Sequence, residues 1–127
     1  MRLGAAGLIA AAALGCTAGA WAAELPEHLT GHGGPVKGIT VAPAGDRVAT
    51  ASFDYSVIVR SWPSGVEQSI LYGHDAAANA VAFTPDGRHL VTVGDDGLVL
   101  VWPTGGSGER REPLARLTGH QGKILQV

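Results

Sequence analysis

The chain has 127 residues, enough for one modest domain, and with 46% hydrophobic and 16% charged residues it is too apolar for a disordered polyelectrolyte. Its net charge of −2 gives no reason to expect a nucleic-acid partner. The 19 glycines and 7 prolines interrupt short apolar stretches, a composition typical of short strands joined by tight turns.

The N-terminal segment has the pattern of an export signal. Arg2 carries its only side-chain charge, residues 3–14 form an apolar run, and Ala20-Trp21-Ala22 ends it with a small-x-small pattern. This order predicts a secretory signal peptide over residues 1–22. Two alternatives stay open. One is an uncleaved anchor, since the uncharged stretch is about as long as a membrane span. The other is a lipoprotein, because Leu14-Gly15-Cys16 resembles an acylation site.

The cysteine count fits export. Cys16 is the only cysteine, so a chain cut after Ala22 has no thiol and no disulfide, and its stability must come from packing. We expect an exported protein, periplasmic or secreted, that meets a membrane only if Cys16 is lipidated or the signal segment is retained. An excess of arginine over lysine favours a bacterial source.

After a leading strand or linker at residues 23–30, the chain alternates strand and turn patterns. Alternating and β-branched stretches predict strands at 39–41, 47–52, 56–60 and 68–72. Gly, Pro and Asp predict turns between them, at 43–46, 53–55 and 63–65. The same plan follows in the second half, with a turn at Pro85-Asp86-Gly87 and a hairpin signal at Asp95-Asp96-Gly97. No sustained helical periodicity occurs after residue 24.

The two halves are copies of one unit. Leu29-Thr30-Gly31-His32 recurs as Leu71-Tyr72-Gly73-His74 and as Leu117-Thr118-Gly119-His120, 42 and 46 residues apart. A shift of 42 also superimposes Pro43, Gly45, Thr50, Asp54, Val57 and Val59 on identical residues. We therefore divide the chain into a repeat at 31–72, a repeat at 73–118 and the start of a third repeat at 119–127.

Each repeat predicts a four-stranded antiparallel sheet with apolar residues on both faces. One sheet cannot bury both of its faces alone, and copies arranged radially can, so the fold class is all-β and the architecture a partial β-propeller. Two copies leave two apolar faces uncovered. We expect the remaining blades to come in cis or by oligomerisation, with the chain a fragment of a longer protein or a truncated reading frame.

The Gly-His dipeptide, the Pro-Asp-Gly turn, the Asp of the later turn and the Trp ending the third strand resemble the WD-repeat family of β-propellers. The resemblance covers residues 27–127. In that family a His, a Ser or Thr, an Asp and a Trp form a hydrogen-bonded chain within each blade. It therefore implies structural roles for matching residues here: His32, Ser52 and Asp54 in the first blade, His74, Asp96 and Trp102 in the second, and His120 in the third.

Two positions depart from the family pattern. Arg60 stands at the Trp position of the first blade, with Trp62 a candidate to fill that place, and Gly94 stands where the second blade should have Ser or Thr. Arg60-Ser61 and Trp102-Pro103 replace the family's terminal Trp-Asp pair. On this interpretation neither chain of hydrogen bonds is complete.

The residues offer no catalytic, cofactor or metal site. The three Gly-His histidines recur on successive blades, too far apart to share one ion. Asp54 and Asp96 are repeated structural positions, and no nucleophile elbow or haem-attachment motif occurs. We therefore expect a protein that is not an enzyme and needs no cofactor.

Binding to other proteins is the preferred function. Phe53 and Tyr55 flank Asp54 on the rim where WD-repeat proteins usually meet partners, and they either anchor a partner there or pack between blades. The preferred hypothesis is an exported scaffold for protein partners. The alternative is the WD-repeat segment of a larger exported redox protein with a c-type haem domain. A decayed gene is a third interpretation, permitted by the altered Trp-Asp pairs.

Overall fold

The computed structural model describes residues 27–105 and 112–127, so the predicted signal segment 1–22 and Cys16 lie outside the described residues. The described residues form eight strands and no helix. The strands are β1 (Val36–Val41), β2 (Arg47–Ser52), β3 (Ser56–Ser61), β4 (Glu67–Tyr72), β5 (Ala78–Phe83), β6 (His89–Gly94), β7 (Val99–Pro103) and β8 (Ala115–Leu117).

The strands form two four-stranded antiparallel sheets, which confirms the predicted all-β fold built of propeller-type blades. Blade 1 has the order β1-β2-β3-β4, and blade 2 has the order β5-β6-β7-β8. The registers match across the repeat, because Thr50 pairs with Ile58 in blade 1 as Thr92 pairs with Leu100 in blade 2. The copies therefore superimpose strand by strand as well as in sequence.

Equivalent turns close the first hairpin of each blade. The amide of Gly45 donates to the carbonyl of Ala42, and the amide of Gly87 donates to that of Thr84, both at 2.8 Å. The hydroxyl of Thr84 also donates to Asp86 at 2.6 Å. These bonds satisfy turn backbone groups locally and fix where β2 and β6 begin.

A single apolar core lies between the two blades. We define the forward face of blade 1 by Ala49, Ala51, Val57, Val59 and Leu71, and the rear face of blade 2 by Val81, Phe83, Leu90, Leu100 and Trp102. The residues of both faces belong to one cluster, with Phe83 packed at its edge. The core therefore combines small alanines from blade 1 with a tryptophan and a phenylalanine from blade 2, which lets two sheets with different side chains pack closely.

Each blade has a second face that no described blade covers. The rear face of blade 1 is defined by Ile39, Val41, Val48, Ile58 and Arg60, and the forward face of blade 2 by Val91, Val93, Val99, Val101 and Leu117. Residues just before β1 cover part of the rear face of blade 1, since a Cβ built on Gly31 would lie 3.4 Å from the Ile58 side chain. The side chains of Ile39 and Val41 stay exposed.

Candidate functional site

Blade 2 contains a complete chain of hydrogen bonds that links a loop, two strands and a turn. The indole N–H of Trp102 donates to Thr92 Oγ1 at 2.9 Å, and Thr92 Oγ1 lies 2.8 Å from His74 Nε2. His74 Nδ1 lies 2.8 Å from an Asp96 oxygen. Because a carboxylate only accepts, Nδ1 carries the proton, and Nε2 accepts from the threonine hydroxyl. Every donor in this buried chain therefore has an acceptor.

The environment of Asp96 keeps its carboxyl group ionised. Burial acts to raise the pKa of Asp96, but hydrogen bonds from the amide of Leu98, the imidazole of His74 and the amide of Asp75 outweigh it, and the pKa lies below its ordinary value. The negative charge is thus stabilised by the loops that it joins.

Blade 1 repeats the chain with a different terminal residue. His32 Nδ1 lies 3.2 Å from Asp54 Oδ2, and His32 Nε2 lies 2.9 Å from Thr50 Oγ1. Arg60 Nη1 donates to Thr50 Oγ1 at 3.4 Å. Asp54 and Arg60 therefore lie at opposite ends of one chain of hydrogen bonds, and their opposite charges balance each other within the blade.

Asp54 also accepts hydrogen bonds from groups outside the His32-Thr50-Arg60 hydrogen-bond chain. Its oxygens accept from the hydroxyl of Ser56 at 2.6 Å and from the amide of Gly33 at 2.6 Å. Burial acts to raise the pKa of Asp54, but these bonds, with those from the Ser56 amide and His32, hold it well below its ordinary value. Asp54 therefore ties the segment before β1 to the turn between β2 and β3.

Ser52 does not take the place that the resemblance implied. Its hydroxyl lies 3.1 Å from the carbonyl of Gly34 and 3.0 Å from that of Pro35, and Thr50 is the residue that bonds His32. Gly94, the matching position in blade 2, has no room for a side chain, because a Cβ there would lie 2.6 Å from the carbonyl of Ala77. The missing side chain at Gly94 therefore leaves no gap in the hydrogen-bond chain of blade 2, which runs through Thr92.

Thr50 and Thr92 are the residues that sequence reasoning missed. A signal was present, since the 42-residue shift superimposes one on the other, and both lie four residues before the Asp. Arg60 occupies the Trp position in register, because it pairs with Val48 as Trp102 pairs with Leu90. Trp62 does not fill that place: it lies just after β3 ends, half-buried.

The two rim aromatics of blade 1 are exposed. Phe53 and Tyr55 keep 53% and 47% of their surface accessible. Tyr55 has φ = 75°, in the left-handed region, where blade 2 has Gly97 at 73°. That region disfavours any residue with a Cβ by about 1–2 kcal/mol, so the turn holds an aromatic side chain in a conformation that suits glycine.

The start of the third repeat lies against the corresponding turn of blade 2. The amide of Ile124 donates to the carbonyl of Gly94 at 3.0 Å, and the Lys123 ammonium lies 3.0 Å from Asp95. A Cβ on Gly97 would lie 3.0 Å from the His120 carbonyl oxygen. The side chain of His120 is exposed, and within residues 27–105 and 112–127 it has no side-chain partner like those of His32 and His74.

The described residues contain neither a cluster of metal ligands nor a membrane-spanning helix. Among residues 27–105 and 112–127, no group of three or more His, Cys, Asp and Glu side chains lies close enough together to hold a metal ion. In this same part of the chain, no helix is long and apolar enough to cross a bilayer.

The chain is similar to WD-repeat proteins from animals and plants. It is 35% identical to bovine (Bos taurus) coronin-7 over 100 residues, which is 77% of this chain and 11% of that protein. It is 33% identical to periodic tryptophan protein 2 of Arabidopsis thaliana over 85 residues, 64% of this chain and 9% of that protein. It is 35% identical to pig (Sus scrofa) WD repeat-containing protein 62 over 75 residues, 59% of this chain and 5% of that protein.

The chain thus spans only a small part of the length of these relatives. The family model "WD domain, G-beta repeat" matches residues 24–61 and again residues 65–103, together more than half of the chain. Each match contains one complete Asp-His-Thr chain, and the second match begins just before β4 of blade 1. The protein belongs to the WD-repeat family.

Proposed function

We propose that this protein is a non-enzymatic interaction scaffold, and that its blade 1 rim binds a protein partner through Phe53 and Tyr55. WD repeats generally mediate contacts between proteins. The single observation that carries the assignment to this rim is the pair of exposed aromatics on one turn, one of them in a left-handed conformation. Aromatic side chains are common energetic anchors of interfaces.

The comparison with blade 2 supports a binding role for the pair. At the matching positions blade 2 has Asp95 and Gly97, and residues of the third repeat lie over them. Packing therefore favours a small or polar residue where the turn is covered. Blade 1 has large apolar rings on the same turn, and these rings remain accessible to another molecule.

The backbone of Tyr55 strengthens this argument. A residue other than Gly, Asn or Asp in the left-handed region destabilises a turn. Such a strained residue is retained where its side chain serves another purpose, such as binding. The Tyr55 amide donates to the Ser52 carbonyl at 3.1 Å, so glycine could form the same turn without the strain. A binding role gives a reason for an aromatic ring at this position.

The test is affinity capture from an extract of the source cells. The wild-type chain and the double variant Phe53→Ala/Tyr55→Ala are immobilised, and retained proteins are compared by quantitative mass spectrometry. We expect a defined set of proteins to be retained at least about tenfold less by the variant, since two anchors are lost.

The control variant is Val66→Ala, an exposed apolar residue on the turn between β3 and β4 of the same blade. It should retain the same proteins as the wild type. Equal capture by the wild type and the rim double variant contradicts the rim assignment. A loss of capture that follows a lower melting temperature of the rim variant also contradicts it, since this outcome assigns the rings to packing.

We further propose export to a bacterial periplasm by cleavage after Ala22. The pattern of residues 1–22 supports this, and the mature chain would contain no cysteine. N-terminal sequencing of the exported protein should begin at Ala23. A mature protein that begins with a lipid-modified Cys16 indicates the lipoprotein, and an intact N-terminus in the membrane fraction indicates the anchor.

The redox alternative assigns the chemistry to another part of a longer protein. This chain has one cysteine, Cys16, so a c-type haem needs a Cys-x-x-Cys-His motif elsewhere in the same reading frame. Sequencing of the gene beyond codon 127 tests this proposal. Such a motif favours the redox protein, and a full reading frame without it favours the scaffold.

A further inference from the structure

The aromatic rim of blade 1 extends beyond Phe53 and Tyr55. Tyr72, the last residue of β4, pairs with Ser56, the residue after Tyr55, and 56% of its surface is exposed. The chain's two tyrosines and one of its two phenylalanines are therefore exposed along one edge of one blade. Such a composition is typical of protein interfaces, where aromatic rings supply large and stiff contact areas.

The rings are exposed where a neighbouring blade is in place. Blade 2 packs on the forward face of blade 1, and Phe53 and Tyr55 stay accessible beside it. The counterpart of Tyr72 in blade 2 is Thr118, which has blade 1 behind it and is exposed as well. The accessibility of this rim therefore follows from its position on the blade and not from the faces that no described blade covers.

An unpaired cation lies at the β1 end of the rim. Lys37 is the bulged residue of β1, beside Ser52, and Ser52 directly precedes Phe53. Lys37 is exposed, and it takes part in none of the ion pairs found within residues 27–105 and 112–127. Its ammonium group is therefore available to a molecule that contacts the Phe53 ring.

Asp95, at the position of blade 2 that matches Phe53, already has partners of its own. Its carboxylate accepts from Asn79 Nδ2 at 2.6 Å and lies 3.0 Å from the Lys123 ammonium. These two contacts are the main reason why the pKa of Asp95 lies below its ordinary value, and the charge of Lys37 adds to the effect. Because Lys123 balances Asp95, the described residues leave the charge of Lys37 uncompensated.

A second cation lies at the β4 end of the rim. Arg116 Nη1 donates to the carbonyl of Gly73 at 3.4 Å, and Gly73 directly follows Tyr72. Arg116 is exposed, and in the part of the chain that the structure describes it forms no ion pair with a carboxylate. The rings of the rim thus lie between two positive charges, although the whole chain has a net charge of −2.

We propose that the partner of this rim is a protein segment with both acidic and apolar side chains. Its apolar side chains pack on the three rings, and its carboxylates pair with Lys37 and Arg116. The inference rests on the proposed function, because it names the partner class of the same rim. Cations that flank an apolar surface favour a segment of opposite charge and disfavour a basic one.

Cross-linking with a carbodiimide tests the proposal, since this reagent joins an amine to a carboxylate with which it is in direct contact. The full 127-residue chain is mixed with an extract of the source cells, and the cross-linked peptides are identified by mass spectrometry. We expect Lys37 to be linked to Asp or Glu of partner segments that also contain apolar residues. Lys37→Arg keeps the charge but cannot form this amide, so it should lose these cross-links.

Charge reversal provides a second measurement, made on the proteins whose capture depends on Phe53 and Tyr55. Lys37→Glu/Arg116→Glu should retain these proteins about tenfold less than the wild type, because two attractive pairs become repulsive. Tyr72→Ala should also retain less of them, since a ring of the rim is lost. Circular dichroism checks the fold of each variant, and Lys37→Glu alone replaces the double variant if that variant does not fold.

Asp75→Lys is the matched control of opposite sign. Asp75 is exposed on the loop after Tyr72, and its amide donates to Asp96 at 3.0 Å, so it belongs to the turn of blade 2. A positive charge there should keep or increase the capture of an acidic partner. A basic partner would reverse both signs, with less capture by Asp75→Lys and more by Lys37→Glu/Arg116→Glu, and this result would overturn the proposal.

The outcomes separate this proposal from the proposed function. Proteins that depend on Phe53 and Tyr55, but bind the charge-reversed variant as well as the wild type, support the rim assignment and contradict an acidic partner. Cross-links from Lys37 to carboxylates of its own chain alone also contradict an acidic partner. If no captured protein depends on Phe53 and Tyr55, the proposed function and this inference both fail.

Discussion

Trp102 and Arg60 occupy the same register position in blades 2 and 1, but their surroundings differ. Trp102 is fully buried in the core between the blades. Arg60 is also buried, 3% exposed, but it lies on the side of blade 1 that no described blade covers, where it lines a cleft of about 250 Å³ with residues that include Thr30 and Glu67. An indole is stabilised by apolar cover, whereas a guanidinium needs acceptors and tolerates nearby water. The covering surface thus decides which residue can end the same chain of hydrogen bonds.

The histidines and aspartates of the two chains also differ in how exposed they are. The side chains of His74 and Asp96 are 1% and 8% exposed, against 8% and 21% for His32 and Asp54. The imidazole-to-carboxylate distance is 2.8 Å in blade 2 and 3.2 Å in blade 1. A hydrogen bond in a drier environment contributes more to stability. The hydrogen-bond chain of blade 2 should therefore contribute more to the free energy of unfolding than the chain of blade 1.

The largest expected effect compares the two terminal residues. Trp102→Ala removes a fully buried indole and should lower the free energy of unfolding by about 3–5 kcal/mol. Arg60→Ala should cost less, about 1–2 kcal/mol, because Arg60, although buried, borders a cleft through which water can reach the acceptors that it leaves. Urea unfolding of both variants gives the two values. Equal losses of unfolding free energy in the two variants would contradict the claim that burial between the blades makes Trp102 more stabilising than Arg60.

The next effect concerns the two aspartates. Asp96→Ala leaves the His74 N–H without its acceptor in a buried site and should cost about 1–3 kcal/mol. Asp54→Ala should cost less, although the pKa of Asp54 is the more strongly lowered, because solvent screens this more exposed carboxylate and His32 can still bond Ser56 at 3.2 Å. Thermal and urea unfolding at neutral pH measure both. A larger loss for Asp54→Ala would reverse the ranking of the blades.

The same aspartates predict an acid-dependent loss of stability. Their pKa values are lowered in the folded state, so they stabilise the fold above the pKa of the unfolded chain, which is about 3.9 for Asp. That stability is lost as the pH falls below about 4 towards the folded pKa values. Unfolding measured from pH 6 to pH 2 should show a steeper decline for the wild type than for Asp54→Ala or Asp96→Ala. Parallel curves would contradict the assigned contacts.

The smallest effect is a gain. Tyr55→Gly relieves the left-handed strain and should raise the free energy of unfolding by up to about 1 kcal/mol. Gly97→Ala makes the opposite change at the matching turn of blade 2 and should lower it. Melting temperatures of the two variants measure this pair of effects. A lower melting temperature for Tyr55→Gly would show that the ring contributes to packing.

The sequence predicted the strands, because strand alternation and turn residues are local signals. The resemblance to WD repeats implied that His32 pairs with Asp54 and His74 with Asp96, each 22 residues apart, and both pairs form. It did not distinguish Thr50 from Ser52. Both side chains lie on one face of β2, and the choice depends on where the backbone of residues 34–35 runs. That path is fixed by contacts distant in sequence. For the same reason, the sequence alone did not show whether Phe53 and Tyr55 are exposed or packed between blades.

Nitrogen-15 NMR of the imidazole groups at neutral pH tests the central claim most directly, that Asp-His-Thr chains hold both blades. His32 and His74 should each carry the proton on Nδ1, with Nε2 accepting a hydrogen bond, whereas the exposed His120 ring should show no single fixed proton site. A proton on Nε2 of His74 would contradict the chain through Thr92 and Trp102. Matching spectra for His74 and His120 would contradict it as well.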